Sequence, residues 1–293
     1  YLIALISLYK KIKYFNMKYM KSIFNYLLVV ISISFLASCK NSNPVVYDDP
    51  IPKHETFTID SKILNEKRII NVWVPKEYST TQDSLSVLYM PYGGTKEDFP
   101  HIANTLDSLI ISKKIKPVIL VGIENIQRRK DLSPPTENEE DKKIADVVGG
   151  SNEFRSFIKD ELFPEITKKY RTQSQKGIIG ESLAGLFIME TFLKQPEMFD
   201  YYIAIDPSLW WNDHKMLLNA KDDLAKFPST PKKLWFAGSG ASDILPYTDD
   251  LKNILTQEKL PNLQWNYSPE PKEEHATIYR ATKEKALIWS IGK

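Results

Sequence analysis

The stretch that most constrains this chain is a serine enclosed by small residues between a short apolar run and an amphipathic segment. The run from Lys176 to Gly180 is typical of a buried strand. Apolar residues at helical spacing follow the serine: Leu186, Phe187, Met189, Phe192 and Leu193. The pattern predicts a strand, a sharp turn and a helix, with Ser182 at the tip of the turn.

Small residues around Ser182 suit a turn of this kind. A serine hydroxyl is a weak nucleophile and must be exposed to a base and to a substrate. A tight strand-to-helix turn exposes it, provided that the side chains packed against it are small, as Gly180, Ala184 and Gly185 are. The pattern is that of the nucleophile elbow, G-x-S-x-G, with Ala184 in place of the last glycine. A serine in an ordinary strand–helix loop is the alternative.

The first residues have the pattern of a targeting segment. Lys18 and Lys21 precede an apolar run over residues 23–36, which ends in Leu36-Ala37-Ser38-Cys39. This resembles a bacterial lipoprotein signal, which implies lipidation of Cys39; a plain membrane anchor or secretory signal is the alternative. Cys39 is the single cysteine of the chain, so an intrachain disulfide is excluded.

The chain is expected to divide into three segments. Residues 1–38 are expected to be an upstream extension and signal peptide, with translation starting at Met17 or Met20. Residues 39–53 contain prolines and polar residues and are expected to form a tether. Residues 54–293 are expected to form the folded domain. The expected location is the cell envelope, lipid-anchored in the periplasm or on the outer surface.

Length and charge limit the class of protein. The chain has 293 residues, 42% of them hydrophobic, which suffices for one large α/β domain or two small ones. A net charge of +2 gives no indication of a nucleic-acid partner.

Strands and helices alternate along the rest of the chain. An edge hairpin is predicted over residues 54–63 and 68–74, and a long loop over residues 124–140. Buried strands are predicted at 86–92, 117–123, 201–205, 234–237 and 263–267, and helices at 99–113, 152–170, 249–255 and 277–291. This alternation predicts an α/β-hydrolase, with a mostly parallel central sheet and helices on both faces.

Polar residues that follow the predicted strands converge on one edge of such a sheet. In this fold the catalytic residues come in the chain order serine, acid, histidine. His54 and His101 precede Ser182, and His214 follows only one strand later. His275 follows the last predicted strand and is therefore the expected general base.

The acid should follow the strand before the last, and Asp243 fits, in a turn rich in glycine and serine. The rival carboxylates are Asp206, Asp249, Asp250, Glu273 and Glu274. A serine–histidine dyad without an acid remains an alternative. The oxyanion hole needs backbone N–H donors, which are expected from Leu183 and from Gly94 or Gly93.

At this point the chain resembles the putative-esterase family, which includes siderophore trilactone esterases, S-formylglutathione hydrolase, feruloyl and acetylxylan esterases and the antigen 85 mycolyltransferases. The matching residues are Val87-Leu88-Tyr89-Met90-Pro91-Tyr92-Gly93-Gly94, Gly180-Glu181-Ser182-Leu183-Ala184-Gly185-Leu186-Phe187, Ile205-Asp206-Pro207-Ser208-Leu209-Trp210-Trp211 and Glu274-His275. The resemblance covers residues 54–293 and implies ester hydrolysis by a serine, histidine and acid, with no metal and no cofactor.

Two departures from the family pattern concern the site. Tyr92 stands where many members carry an acidic residue, and the acid after the seventh strand lies in no fixed motif. Trp210 and Trp211 are candidate walls of an acyl pocket, although core packing would also explain them. Arg128 and Arg129 are candidates for contact with an anionic substrate, with a solvated loop as the alternative.

The sequence thus predicts a serine esterase acting on a siderophore ester or an acylated (acetyl or feruloyl) saccharide. Two other functions fit the same residues. One is a ligand-binding lipoprotein that has kept a hydrolase scaffold without catalysis. The other is acyl transfer, in which the same residues act but water is excluded.

Overall fold

The computed structural model describes residues 48–293, in which residues Asp49–Lys293 form one compact unit. The predictions on the signal peptide, on Cys39 and on most of the tether lie outside the described residues. Within the described part, no helix has both the length and the apolar character to cross a membrane.

An eight-stranded sheet runs through this unit in the order β1-β2-β4-β3-β5-β6-β7-β8. The strands are β1 (Glu55–Ser61), β2 (Glu66–Trp73), β3 (Leu85–Pro91), β4 (Val118–Ile123), β5 (Thr172–Glu181), β6 (Tyr201–Ile205), β7 (Lys232–Ser239) and β8 (Leu263–Glu270). The first two strands pair antiparallel, as does β2 with β4, and all pairs from β4 to β8 are parallel. The predicted edge hairpin and mostly parallel sheet are confirmed.

Helices cover both faces of the sheet. In the described residues they are α1 (Lys76–Thr80), α2 (Phe99–Ile111), α3 (Arg128–Leu132), α4 (Glu139–Lys142), α5 (Ser151–Phe157), α6 (Phe163–Lys169), α7 (Leu183–Lys194), α8 (Trp211–Leu224), α9 (Leu245–Glu258) and α10 (Ile278–Ile291), with a π-helical turn at Ile158–Leu162. Alternate residues of β3 enter opposite layers: Val87 and Tyr89 pack with α5 and α7, whereas Leu88 and Met90 pack with α2 and α10. This two-sided burial explains why the central strands are continuous apolar runs.

Two of the longer helical regions differ from the prediction, and the short helices α1, α3 and α4 were not predicted. The single helix expected over residues 152–170 contains the π-helical turn, and Pro164 is the second residue after that turn. Proline has no N–H and its ring crowds the carbonyl four residues earlier, so a regular α-helical ladder cannot continue there. The other difference is α8, which no predicted helix covered. Its first turn contains left-handed residues at 212–214, and only Leu217, Ala220 and Leu224 of its later residues are buried, so its apolar pattern is weak.

The loop after β4 is more ordered than its sequence suggested. It contains the short helices α3 and α4, and a buried ion pair ties it to the sheet. Arg68 of β2 donates from Nη1 to Asp131 Oδ2 at 2.7 Å and from Nη2 to Asp131 Oδ1 at 2.9 Å. Both side chains are fully buried. This bidentate contact fixes α3, and with it Arg128, at the edge of the sheet.

Candidate active site

Ser182 lies between the last residue of β5 and the first residue of α7, in a sharp turn. Its backbone has φ 60° and ψ −120°, a conformation that residues other than glycine rarely adopt. The turn is held by hydrogen bonds: Ser182 N–H donates to the Ile205 carbonyl at 3.0 Å, and the Ser182 carbonyl accepts from Leu186 N–H at 2.9 Å. The strand, turn and helix expected around this serine are present.

Close packing explains the small residues of the turn. A Cβ on Gly180 would lie 2.6 Å from the Ala184 Cβ, and one on Gly185 would lie 3.0 Å from the Pro207 Cα. A larger residue at position 180 would push β5 and α7 apart, and one at position 185 would push α7 away from the loop after β6, since both distances are below ordinary van der Waals contact. The methyl group of Ala184 is accommodated because residue 180 is glycine.

The structure brings His275 to the serine. His275 follows β8, and its Nε2 lies 3.1 Å from Ser182 Oγ. On the other side of the ring, Nδ1 lies 2.6 Å from Asp206 Oδ2. A carboxylate can only accept, so Nδ1 carries the proton and Nε2 is left to accept the serine hydroxyl. The hydrogen bond to Asp206 raises the pKa of His275, partial burial of the ring opposes this, and the Glu181 carboxyl adds to the rise.

Asp206, and not Asp243, is the carboxylate that holds His275. Asp206 directly follows β6, is fully buried and has a left-handed φ of 49°. Its Oδ1 accepts from Ser239 N–H at 2.6 Å, and its Oδ2 accepts from Ser239 Oγ at 2.9 Å. Ser239 ends β7, the strand next to β6. The carboxylate is therefore fixed on one side by Ser239 and presented to His275 on the other.

The prediction that Asp243 holds His275 is therefore corrected. Asp243 is exposed in the turn before α9, and among the described residues its carboxylate makes no hydrogen bond to His275. Its negative charge contributes only weakly, through the electric field, to the raised pKa of His275. The left-handed turn at Asp206 carries that carboxylate into the position that the order of strands had assigned to Asp243. Sequence reasoning missed Ser239, although it lies between two glycines in a turn that the sequence analysis singled out.

The backbone N–H groups expected to form the oxyanion hole differ in whether they already donate to another acceptor. Leu183 is the first residue of α7, so its N–H has no acceptor within the helix. Gly93 N–H donates to the Ile123 carbonyl at 2.9 Å. Gly94 N–H donates to Glu97 Oε2 at 2.6 Å, while Glu97 N–H donates back to the Gly94 carbonyl at 3.0 Å. The backbone bond from Glu97 to Gly94 closes a turn, and the Glu97 side chain occupies the Gly94 amide within it. Gly94 could serve an oxyanion only if Glu97 released its amide.

The two tryptophans occupy different environments. Trp211 is buried, and its Nε1 donates to the Pro134 carbonyl at 2.9 Å. It lines a cavity of about 240 Å³ between α7, α8 and the loop at residues 134–137, and none of Ser182, Asp206 and His275 lines that cavity. Trp210 is half-buried against the core, with its ring centroid 5.9 Å from that of Trp211. A role of Trp211 in the wall of an acyl pocket thus has no support from its position.

Arg128 lies beside the β3 loop, at the start of α3. Its guanidinium carbon lies 4.8 Å from the ring centroid of Tyr92, which itself has a left-handed φ of 64°. The Nε of Arg128 is buried without a hydrogen-bond partner. Arg129, in contrast, donates to the Ile144 carbonyl and so fixes the loop.

A further titratable group borders the serine. Burial raises the pKa of Glu181 to about 8, and the nearby Asp98 carboxylate acts in the same direction. The positive charges of His275 and Arg128 oppose the rise. The described residues include no group of three or more side chains that could ligate a metal ion.

A parallel sheet with helices on both faces and a strained serine at the tip of a strand–turn–helix defines an α/β-hydrolase. Within that class, the chain belongs to the family described as "Putative esterase", whose model matches residues 61–275. The predicted family membership is confirmed.

Relatives with known names agree with this family. The ferri-bacillibactin esterase BesA of Bacillus subtilis is 31% identical over 128 residues, which are 36% of this chain and 44% of that protein. The siderophore enterobactin esterase of Emericella nidulans is 31% identical over 104 residues, 32% of this chain and 34% of that protein. The chain therefore spans less than half the length of these two relatives.

A solved structure shares the fold. The IroE-like serine hydrolase of Shewanella oneidensis superposes with a TM-score of 0.75 at 23% identity, over 81% of this chain and 79% of that one.

Proposed function

We propose that the protein hydrolyses carboxylic esters, with Ser182 as nucleophile, His275 as general base and Asp206 as the acid that orients it. The observation that carries this proposal is the hydrogen-bonded chain from Ser182 Oγ through both ring nitrogens of His275 to the buried carboxylate of Asp206. The chain has the order of donors and acceptors that serine activation requires. An intact chain of this kind disfavours the alternative of a binding protein without catalysis.

In the proposed reaction, Ser182 Oγ attacks the ester carbonyl carbon while its proton passes to His275 Nε2. The negative charge that develops on the carbonyl oxygen is stabilised by Leu183 N–H. As the tetrahedral intermediate collapses, His275 returns the proton to the departing alkoxide and an acyl-serine remains. A water molecule, deprotonated by His275, then attacks the acyl-serine, and the acid and free serine are released.

The proposed substrate is a siderophore ester. Two relatives that share about a third of this chain are named for siderophore esters. Arg128 offers a cation with an unpartnered Nε at the same sheet edge as Ser182, which suits an anionic substrate.

We also propose, from the sequence pattern of residues 18–39, that lipidation of Cys39 anchors the protein in the cell envelope. Mass spectrometry of the membrane fraction should find acyl groups on Cys39, and Cys39→Ala should lose them. A wild-type chain without acyl groups on Cys39 would contradict lipid anchoring at this residue.

The test of activity uses the purified full chain in detergent, with p-nitrophenyl acetate and butyrate as substrates. Ser182→Ala and His275→Ala should each lower kcat by at least about 10³-fold, because the triad acts as a unit. Matched controls are Ser242→Ala and His214→Ala; Ser242 is exposed in the turn after β7 and His214 stacks on Tyr247. Both should stay within about twofold of wild type.

Circular dichroism must show that all variants are folded. A folded wild type that is inert on p-nitrophenyl and siderophore esters would overturn the proposed hydrolysis, and so would undiminished activity of Ser182→Ala. Product analysis with an added alcohol separates hydrolysis from acyl transfer, because transfer yields a new ester and not the free acid.

A further inference from the structure

Glu181 is an unusual residue to find next to the nucleophile. It ends β5, pairs with Ile205 of β6 and directly precedes Ser182. The residue is partly exposed, yet within residues 48–293 its carboxyl makes no ion pair and no hydrogen bond. Glu190, in the helix α7 that follows Ser182, forms an ion pair with Arg155, in contrast to Glu181. A carboxyl without a protein partner is available to a ligand.

The groups around Glu181 keep it uncharged at neutral pH. Enclosure by the protein and the negative charges of Asp98 and Asp206 oppose ionisation, and His275 and Arg128 only partly offset them, so the pKa is about 8. Tyr92 and Tyr279 also lie close enough to interact electrostatically with Glu181. Both phenols are uncharged, because burial raises their pKa values. A neutral carboxylic acid has one O–H donor and a carbonyl acceptor.

Two more unsatisfied polar side chains lie on the neighbouring loop. Asn125 follows β4, and both its Oδ1 and its Nδ2 are buried without a partner, as is the Nε of Arg128. Leaving a buried polar group unpaired costs about 1–3 kcal/mol. Such groups are normally satisfied by the protein, by water or by a ligand.

The order of strands places these groups on one side of Ser182. The loops after β3 and β4 carry Tyr92, Asn125 and Arg128, whereas Asp206 and His275 come from β6 and from beyond β8 on the other side of β5. His275 must reach the leaving oxygen in order to protonate it, so the alcohol part of an ester lies towards β6–β8. The acyl part then extends towards β3 and β4, where Asn125 and Arg128 lie, and Glu181, at the end of β5, lies between the two sides.

We propose that Glu181, together with Asn125 and Arg128, forms a specificity subsite for an uncharged hydrogen-bonding group, a hydroxyl or an amide, on the acyl part of the substrate close to the scissile ester. This inference rests on the proposed esterase function and specifies its substrate class. A neutral acid and a carboxamide can each donate and accept, which matches a hydroxyl or amide. Arg128 offsets the nearby carboxylates and supplies a further donor.

The test compares two esters that differ in one hydroxyl, p-nitrophenyl butyrate and p-nitrophenyl 3-hydroxybutyrate. The measured quantity is the ratio of their kcat/KM values at pH 7, hydroxylated over plain. Wild type should favour the hydroxylated ester. Glu181→Leu should lower the ratio about tenfold, as expected for the loss of one hydrogen bond in a desolvated site. Glu181→Gln keeps a donor and an acceptor and should stay within about threefold of the wild-type ratio.

Asn125→Leu should lower the ratio in the same direction as Glu181→Leu. Lys96→Ala, an exposed residue of the same sheet edge, is the matched control and should leave the ratio unchanged within about twofold.

The outcomes separate this inference from the proposed function. Turnover of butyrate by wild type and its loss in Ser182→Ala establish the esterase. A wild-type ratio near one, or a ratio that Glu181→Leu leaves unchanged, overturns the subsite. Equal losses on both esters in Glu181→Leu also overturn it, because Glu181 would then only support the turn. A folded wild type that turns over neither ester and no siderophore ester refutes the esterase and the subsite together.

Discussion

Replacing Asp206 with asparagine tests the assignment of the acid directly. The wild-type carboxylate accepts from His275 Nδ1 at 2.6 Å and from the N–H and hydroxyl of Ser239 at 2.6 and 2.9 Å. An asparagine side chain has nearly the same shape, but it keeps the contact with Ser239 N–H only if its carbonyl oxygen replaces Oδ1. Its NH2 then replaces Oδ2 and faces His275 Nδ1 and the Ser239 hydroxyl. Nδ1 must then accept, the ring proton moves to Nε2, and His275 can no longer take the proton of Ser182.

The size of the effect follows from that change of tautomer. In serine proteases, inverting the tautomer of the catalytic histidine by the same substitution lowers kcat about 10⁴-fold, which corresponds to about 5 kcal/mol of transition-state stabilisation. We expect Asp206→Asn to lose about 10³–10⁴-fold in kcat for p-nitrophenyl butyrate. Asp243→Asn removes only an exposed charge that acts through solvent, and it should stay within about threefold of wild type.

The assay measures kcat and KM for both variants beside wild type, with thermal unfolding as a check on the fold. KM should change little in Asp206→Asn, because the carboxylate touches the histidine and not the substrate. If Asp243→Asn lost more activity than Asp206→Asn while both remained folded, the assignment of the acid from the structure would be wrong.

Three further predictions concern packing, a buried ion pair and pH. A Cβ on Gly177 would overlap the Tyr201 ring, so Gly177→Ala should lower the free energy of unfolding by about 1–3 kcal/mol in urea titration; an unchanged midpoint would contradict this packing. Arg68→Met leaves the buried Asp131 carboxylate unpaired and should cost about 3–5 kcal/mol, whereas the control Lys67→Met removes only an exposed pair and should cost less than about 1 kcal/mol. Because His275 must be neutral to act as a base and its pKa is raised, kcat/KM should fall as pH decreases through a midpoint above the ordinary histidine value of about 6.5; a midpoint below that value would refute the raised pKa.

Local patterns in the sequence were sufficient for much of the fold. The alternation of apolar and polar residues in β1 and β2 predicted the edge hairpin, and the continuous apolar runs of β3 and β4 predicted strands buried on both faces. These patterns predict strands well, because burial on one or both faces continues along the whole length of a strand and all of its residues therefore contribute to the pattern. The helix α8 was missed because only three residues of its later turns are buried. Leu217, Ala220 and Leu224 stand at helical spacing, but three apolar positions are too few to establish a period.

The site also contains residues that the sequence predicted and one that it did not. Small residues around Ser182 and the late position of His275 indicated these two residues, since the first depends on local packing and the second on chain order. The acid did not follow from chain order. Both Asp206 and Asp243 come after a strand at the same sheet edge, and no local pattern separates them.

What the sequence by itself determined is therefore the strand–turn–helix at Ser182, the parallel sheet and the family. What only the tertiary structure decided is which side chains meet: the Asp206 carboxylate with Ser239 and His275, and the amide of Gly94 with Glu97. The physical reason is that secondary structure depends on the burial of neighbouring residues, whereas these contacts depend on the direction of single side chains. A left-handed φ at one residue, Asp206, sets a hydrogen bond to a histidine that lies 69 residues away in the chain.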